Sequence, residues 1–87
     1  MATQRAQSTQ PTPELCAGAI LAIFVWHFGL LAGDVRRSDS FLTLWQQRGY
    51  RPKDLKAGLQ YAVERGWLEL LPDGKSYRLT KSGFAAA

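Results

Sequence analysis

The sequence predicts a small α+β domain, mainly helical, in which three helices precede a two-stranded antiparallel β-hairpin. Three observations support this fold class. Apolar residues recur at helical spacing in three successive segments. After Gly66 the spacing of apolar residues changes from about 3.6 to about 2 residues. Finally, a chain of 87 residues, 46% of them hydrophobic, is long enough for one hydrophobic core and too short for two.

The two ends of the chain carry little that could be buried. Residues 1–13 contain Gln, Thr, Ser and two prolines without an apolar run, so we expect a disordered tail. The first helix is expected to begin at Thr12 or Pro13. The folded domain is predicted over residues 14–84, with Phe84 placed to cover the core, and residues 85–87 form a C-terminal tail.

The first helical segment, Leu15–Gly33, is nineteen residues long and contains no Asp, Glu, Lys or Arg. That length falls in the window of about 17–25 residues for a membrane-spanning helix. His27 in mid-segment and three glycines dilute its hydrophobicity, so we interpret it as a core helix. One stripe of this helix is formed by Ile20, Phe24, His27 and Leu31.

Two further hypotheses concern the same segment. Because one small domain can hardly cover every face of so apolar a helix, Leu15–Leu31 is the predicted surface of a homodimer. A membrane anchor, with Arg36 and Arg37 on the cytoplasmic side, is the weaker hypothesis, and we do not expect a membrane partner.

The second helix, Phe41–Arg48, has Phe41, Leu44 and Trp45 on one face. Ser38, Asp39 or Ser40 can cap its first turn, and Gly49 is expected to end it. In the connector before it, Asp34–Ser38, Val35 is a candidate for a short extended segment.

The third helix is predicted from Pro52, which suits a first helical turn, to Arg65, before Gly66. Its inward face carries Leu55, Leu59, Ala62 and Val63. Gly58 lies in the middle of this helix although glycine is unfavourable there by about 1 kcal/mol relative to alanine. We therefore expect another helix to cross closely at Gly58.

The hairpin is predicted from two segments of alternating apolar and polar residues and from the turn between them. Leu68 and Leu70 fall on one side of the first strand, and Tyr77 and Leu79 alternate with polar residues in the second. The residues between them, Pro72-Asp73-Gly74-Lys75, favour a type I turn.

This order of elements resembles the winged helix-turn-helix family of bacterial transcription regulators. Leu55, Gly58, Leu59 and Ala62 are similar to the family's third-helix core, and Gly66-Trp67-Leu68 to the start of its wing. Tyr77–Thr80, followed by Gly83, resembles the wing's return strand. The resemblance implies a cytoplasmic regulator that binds double-stranded DNA, with the third helix in the major groove and the hairpin on the backbone.

The charge distribution agrees with a polyanionic partner. The chain has 11 Lys and Arg against 7 Asp and Glu, and ten of the basic residues but only five acidic ones lie between residues 36 and 81. Candidates for base edges and phosphates at the third helix are Arg51, Lys53, Lys56, Ala57, Gln60 and Tyr61, with Tyr61 expected to be exposed. Further phosphate candidates are Arg36, Arg37, Lys75, Arg78 and Lys81.

Other function classes find little support. A single Cys16 and a single His27 exclude a disulfide framework and a Cys/His zinc cluster within one chain, and both residues are interpreted as core residues. No phosphate-binding glycine loop, carboxylate pair or nucleophile motif is present, so we expect neither an enzyme nor a cofactor. The alternative to DNA binding is a winged helix used for protein–protein contact, with Tyr61 and neighbouring apolar residues at the interface.

Overall fold

A computed structural model of the protein describes residues 12–87, so the tail expected over residues 1–13 lies almost entirely outside the described residues. The described chain contains four α-helices and a three-stranded sheet. The helices are α1 (Pro13–Ala22), α2 (Ser38–Gln47), α3 (Pro52–Glu64) and α4 (Lys81–Ala86). The strands are β1 (Val35–Arg37), β2 (Leu68–Leu70) and β3 (Ser76–Leu79), and a π-helical turn, Ile23–His27, continues α1. The predicted α+β class, mainly helical, is confirmed.

The sheet has one strand more than the sequence predicted. Its order is β1-β3-β2, with both pairs antiparallel, so the return strand of the hairpin lies in the middle. Hydrogen bonds close both ends of the β1–β3 pair: Leu79 N–H donates to the Asp34 carbonyl over 2.9 Å, and Ser38 N–H to the Lys75 carbonyl over 2.8 Å. The prediction of a two-stranded sheet was wrong because three residues are too few to show alternation, and only pairing with β3 identifies β1 as a strand.

The first helix begins as expected and ends earlier. The Thr12 side chain accepts a hydrogen bond from Leu15 N–H at 3.1 Å, and Pro13 occupies the first helical turn. The helix and its π-helical turn end at His27, six residues before Gly33. His27 and Leu31, expected in the core stripe, are exposed, whereas Ile20 and Phe24 are buried. The wider π turn changes the side-chain phase at His27, and Leu31 lies beyond the helix.

The close crossing predicted at Gly58 is confirmed. A Cβ atom built on Gly58 would lie 2.8 Å from the Cys16 Cβ and 2.8 Å from the Ile20 Cδ1, so α1 packs directly against the backbone of α3. This crossing forms the centre of one core, to which every helix except α4 contributes a buried hydrophobic side chain. The largest fully buried side chains are Trp45, Phe24, Phe41, Ile20, Leu21 and Ile23.

The second and fourth helices depart in detail from the sequence prediction. The cap residue of α2 is Arg37, without a side-chain cap bond, because β1 leads directly into the helix; none of Ser38, Asp39 and Ser40 caps it. Residues 81–86, for which no helix was predicted and of which 85 and 86 were expected in the C-terminal tail, form α4. The Thr80 side chain accepts a hydrogen bond from Gly83 N–H at its start. Gly83 is buried against the Trp67 backbone, and Phe84 is 40% exposed instead of covering the core.

Candidate nucleic-acid interface

The turn between α2 and α3 is held from inside by Trp45. Its indole N–H donates to the Arg51 carbonyl at 2.8 Å, and its ring stacks on Tyr50 with the centroids 4.2 Å apart. Gly49 has a φ of +88°, a value that residues with a Cβ rarely adopt, and so ends α2 as predicted. Pro52 then begins α3. The angle and start of α3 are therefore fixed by a buried aromatic side chain and a glycine.

The outward face of α3 carries three of its predicted contact residues in exposed positions. Lys53, Lys56 and Gln60 are exposed. Ala57 and Tyr61 are half-buried, and the Tyr61 ring lies 5.9 Å from that of Trp67. The expectation of an exposed Tyr61 was wrong because Trp67, at the start of the hairpin, packs beside it.

Three predicted phosphate contacts already have carboxylate partners. Arg51 pairs with Asp54 at 3.1 Å, Arg37 with Asp39 at 3.3 Å and Arg78 with Glu69 at 2.9 Å. The Arg37–Asp39 and Arg78–Glu69 pairs are exposed on both sides and contribute at most about 1 kcal/mol each, so a phosphate can replace the carboxylate there, whereas the Asp54 side chain is only 15% exposed. Even so, the local charge at each of these arginines is compensated. Among residues 12–87 the basic side chains outside any ion pair are Arg36, Arg48, Lys53, Lys56, Arg65, Lys75 and Lys81.

The sheet separates the predicted contacts onto two faces. Arg36, Tyr77 and Leu70 lie in one row across β1, β3 and β2, and Val35, Arg78 and Glu69 lie in the next row. Neighbouring rows point to opposite faces. Leu70 and Tyr77 face α3, so Arg78, and with it Arg37, lie on the face that points away from α3. The structure therefore does not bring these two arginines together with Lys53 and Lys56.

Arg36 packs against Phe28, which directly follows the π-helical turn. Its guanidinium lies 4.7 Å from the centre of the Phe28 ring, and its Nε atom is buried without a hydrogen-bond partner in residues 12–87. A half-buried arginine stacked on an aromatic ring is less free to reach a phosphate than a surface lysine is.

The hairpin turn is rigid at the position that presents Lys75. The Asp73 carboxylate accepts hydrogen bonds from the backbone N–H groups of Lys75 and Ser76, each at 2.9 Å, and from the Ser76 hydroxyl at 2.6 Å. The Ser76 hydroxyl first, and then the two N–H groups, lower the pKa of Asp73 from 3.8 to about 2. Lys75 is exposed beside this turn and Lys81 follows the return strand.

A groove of about 360 Å³ lies between α3 and the hairpin. Lys56, Gln60 and Glu64 rise from α3 on one side, and Leu70 and Tyr77 face them from the sheet; Leu59 and Val63 complete the lining. Leu70 is 46% exposed at this point, and burial raises the pKa of Tyr77 above its usual value. Sequence reasoning missed this groove because Leu70 and Tyr77 become neighbours only through strand pairing.

The residues that could support catalysis or metal binding do not come together within residues 12–87. His27 is exposed instead of packed in the core, while Cys16 is buried as predicted, and its burial raises the pKa of the thiol. Within residues 12–87, no three His, Cys, Asp or Glu side chains gather in a way that could hold a metal ion. Over the same range, none of the helices combines the length and hydrophobicity needed to cross a membrane.

Comparisons of the chain with protein-family models, with curated proteins and with solved structures find no match.

Proposed function

We propose that this chain is a winged-helix domain that binds double-stranded DNA, with α3 in the major groove and the β2–β3 hairpin against the backbone. The observation that carries the proposal is the exposed first half of α3. Lys53, Lys56 and Gln60 are exposed, and neither lysine has a carboxylate partner within residues 12–87. Glutamine can pair with adenine, and lysine can reach guanine or phosphate.

The surroundings of α3 support the same proposal. The Trp45–Arg51 hydrogen bond and the Trp45–Tyr50 stack hold α3 at a fixed angle, and recognition of base edges requires such rigidity. Lys75 on the hairpin and Lys81 after it add two basic residues beyond α3. Arg37 and Arg78 have smaller roles in this proposal because they lie on the far face of the sheet.

The test is a titration of a fluorescent mixed-sequence duplex with the protein at several salt concentrations. Replacing both Lys53 and Lys56 with Ala should weaken binding on the order of tenfold at low salt and flatten the salt slope by roughly 0.9 for each lost phosphate contact. Arg65→Gln is the control, since Arg65 lies over the Tyr61 and Trp67 rings at the opposite end of α3. It should change neither quantity by more than about a third of the double-variant effect.

A second candidate function, protein–protein contact, is favoured by the groove between α3 and the hairpin. Its lining joins exposed Leu70 to Leu59, Val63 and Tyr77, which is more apolar than DNA contact requires. Amide NMR spectra with and without duplex separate the two functions. Salt-sensitive shifts at residues 51–61 and 73–81 support DNA binding. A dispersed spectrum that DNA leaves unchanged would exclude it and favour the protein-binding function.

A further inference from the structure

The first helix is apolar on two opposite faces, and the fold covers one of them. The inner face consists of the buried residues Cys16, Ala17, Ile20, Leu21 and Phe24. Its α1 residues pack on α3, and Phe24 meets Phe41 of α2. The outer face, as we define it, consists of Leu15, Gly18, Ala22 and Trp26, spaced so that they follow one side of the helix. Leu15 is 65% and Trp26 75% exposed.

Within residues 12–87 the outer face is open at Gly18, while Ala22 is half-buried. Gly18 is exposed, and a Cβ atom added there would meet no atom within 4 Å. A helix that is hydrophobic on all sides is normally buried on all sides. A tryptophan this exposed, on a helix with no charged side chain between Glu14 and His27, indicates a surface that another molecule covers.

We propose that the outer face of α1 binds the same face of a second copy of this chain, with the two helices antiparallel. The orientation follows from the polar side chains at the two ends. Glu14 lies exposed in the first turn, and His27 lies exposed at the C-terminal end of the π-helical turn. An antiparallel pair sets the Glu14 carboxylate beside the imidazole of the partner's His27, which can donate a hydrogen bond to it, whereas a parallel pair would place the two Glu14 carboxylates side by side. This inference does not rest on the proposed DNA binding.

The spacing of the outer face suits one register. When Trp26 of one copy meets Leu15 of the partner subunit, the two-fold axis places Ala22 opposite the partner's Ala19. The same register places Glu14 opposite the partner's His27. The two large side chains stand about 16 Å apart along the helix, and the small residues between them let the two backbones approach. Each end of the pair is then one Trp26–Leu15 contact, and the small residues lie between the two contacts.

The available area predicts reversible association. A stable interface takes roughly 800 Å² from each partner. Trp26, three-quarters exposed, offers on the order of 150 Å² by itself. Leu15 and the small residues add a limited area over a single helix face, which stays below that of a stable interface, so we expect a dimer that dissociates on dilution.

Sedimentation equilibrium on the full chain tests the proposal. The wild type should reach twice the chain mass of 9.7 kDa at high concentration. Leu15→Glu and Trp26→Lys should each remain monomeric, because each buries an unpaired charge twice in the dimer. An equimolar mixture of the two variants should regain the dimer mass, since one end then keeps Trp26 on Leu15 and the other pairs the introduced Glu with the introduced Lys.

The controls distinguish loss of association from loss of folding. Both substituted residues are exposed, so circular dichroism and thermal unfolding of the monomeric variants should match those of the wild type at low concentration. Leu70→Glu, an equivalent change at an exposed leucine of the hairpin, should leave the dimer intact. A wild type that stays monomeric up to about 1 mM, or a Trp26→Lys variant that still dimerises, would overturn the proposal. Failure of the mixture to associate would overturn the antiparallel register.

Discussion

Helices α1 and α3 cross each other at Gly58, yet their sequences differ in what they reveal. In α3 the apolar residues Leu55, Leu59 and Ala62 lie on one side and the charged residues on the other, so its buried face is evident from spacing alone. In α1 apolar residues occupy every side. Hydrophobic content therefore predicts that a segment is helical, whereas only a contrast between its faces predicts which side is buried.

The largest expected effect on stability is the difference between substitutions on the inner and outer faces of the first helix. Phe24 is fully buried and meets Phe41 edge to face with the ring centroids 5.0 Å apart. Phe24→Ala should lower the free energy of unfolding by about 3–5 kcal/mol, which is comparable to the total stability of so small a domain. The matched change Trp26→Ala, two residues away, should alter it by less than about 0.5 kcal/mol in the monomer. Urea denaturation of both variants at low concentration measures the difference, and similar losses would mean that the faces are assigned wrongly.

A smaller effect concerns the crossing itself. Gly58→Ala should lower the free energy of unfolding by about 1–3 kcal/mol, because the new methyl group would lie 2.8 Å from the Cys16 Cβ and force the helices apart. Gly18→Ala, on the outer face of α1 where the space is open, should instead raise it by up to about 1 kcal/mol. Equal responses to the two substitutions, measured by urea denaturation of the monomer, would contradict the close approach at Gly58.

The smallest expected effect on stability comes from the hairpin turn. Like the buried face of α3, this turn was predicted from the sequence pattern. The pKa of Asp73 falls from 3.8 to about 2 on folding, so its ionised form stabilises the fold above pH 4. This contribution should disappear as the pH falls from about 4 to about 2. In Asp73→Asn the decline in stability over that range should therefore be shallower than in the wild type. Asp39→Asn, which removes one exposed ion pair, is the control in the same series of acid melts and should follow the wild type more closely.

Much of the fold could be predicted from local patterns. Thr12 and Pro13 begin α1, Gly49 and Pro52 bound the turn before α3, and Asp73 organises the hairpin. Each of these residues acts through its own backbone or its near neighbours, so its effect is readable along the chain. The exposed positions Lys53, Lys56 and Gln60 were predictable for the same reason, since helical spacing places them opposite the buried face.

The remaining features depend on contacts between distant residues. β1 is a strand because it pairs with β3, and that pairing brings Arg36 beside Tyr77. Tyr61 is half-buried because Trp67 lies against it, and the groove exists because Leu70 and Tyr77 face α3. Likewise, Cys16 and Ile20 lie on the inner face of α1 because α3 approaches closely at Gly58.

Local sequence patterns therefore set the α+β class, the starts of α1 and α3, the hairpin turn and the charged side of α3, because these follow from backbone preferences and from the contrast between apolar and charged positions. Contacts between distant segments set the third strand, the exposure of His27 and Trp26, and the separation of the basic residues onto two faces of the sheet. Each of these depends on which segments meet, and three-residue strands and a uniformly apolar helix leave that choice to packing.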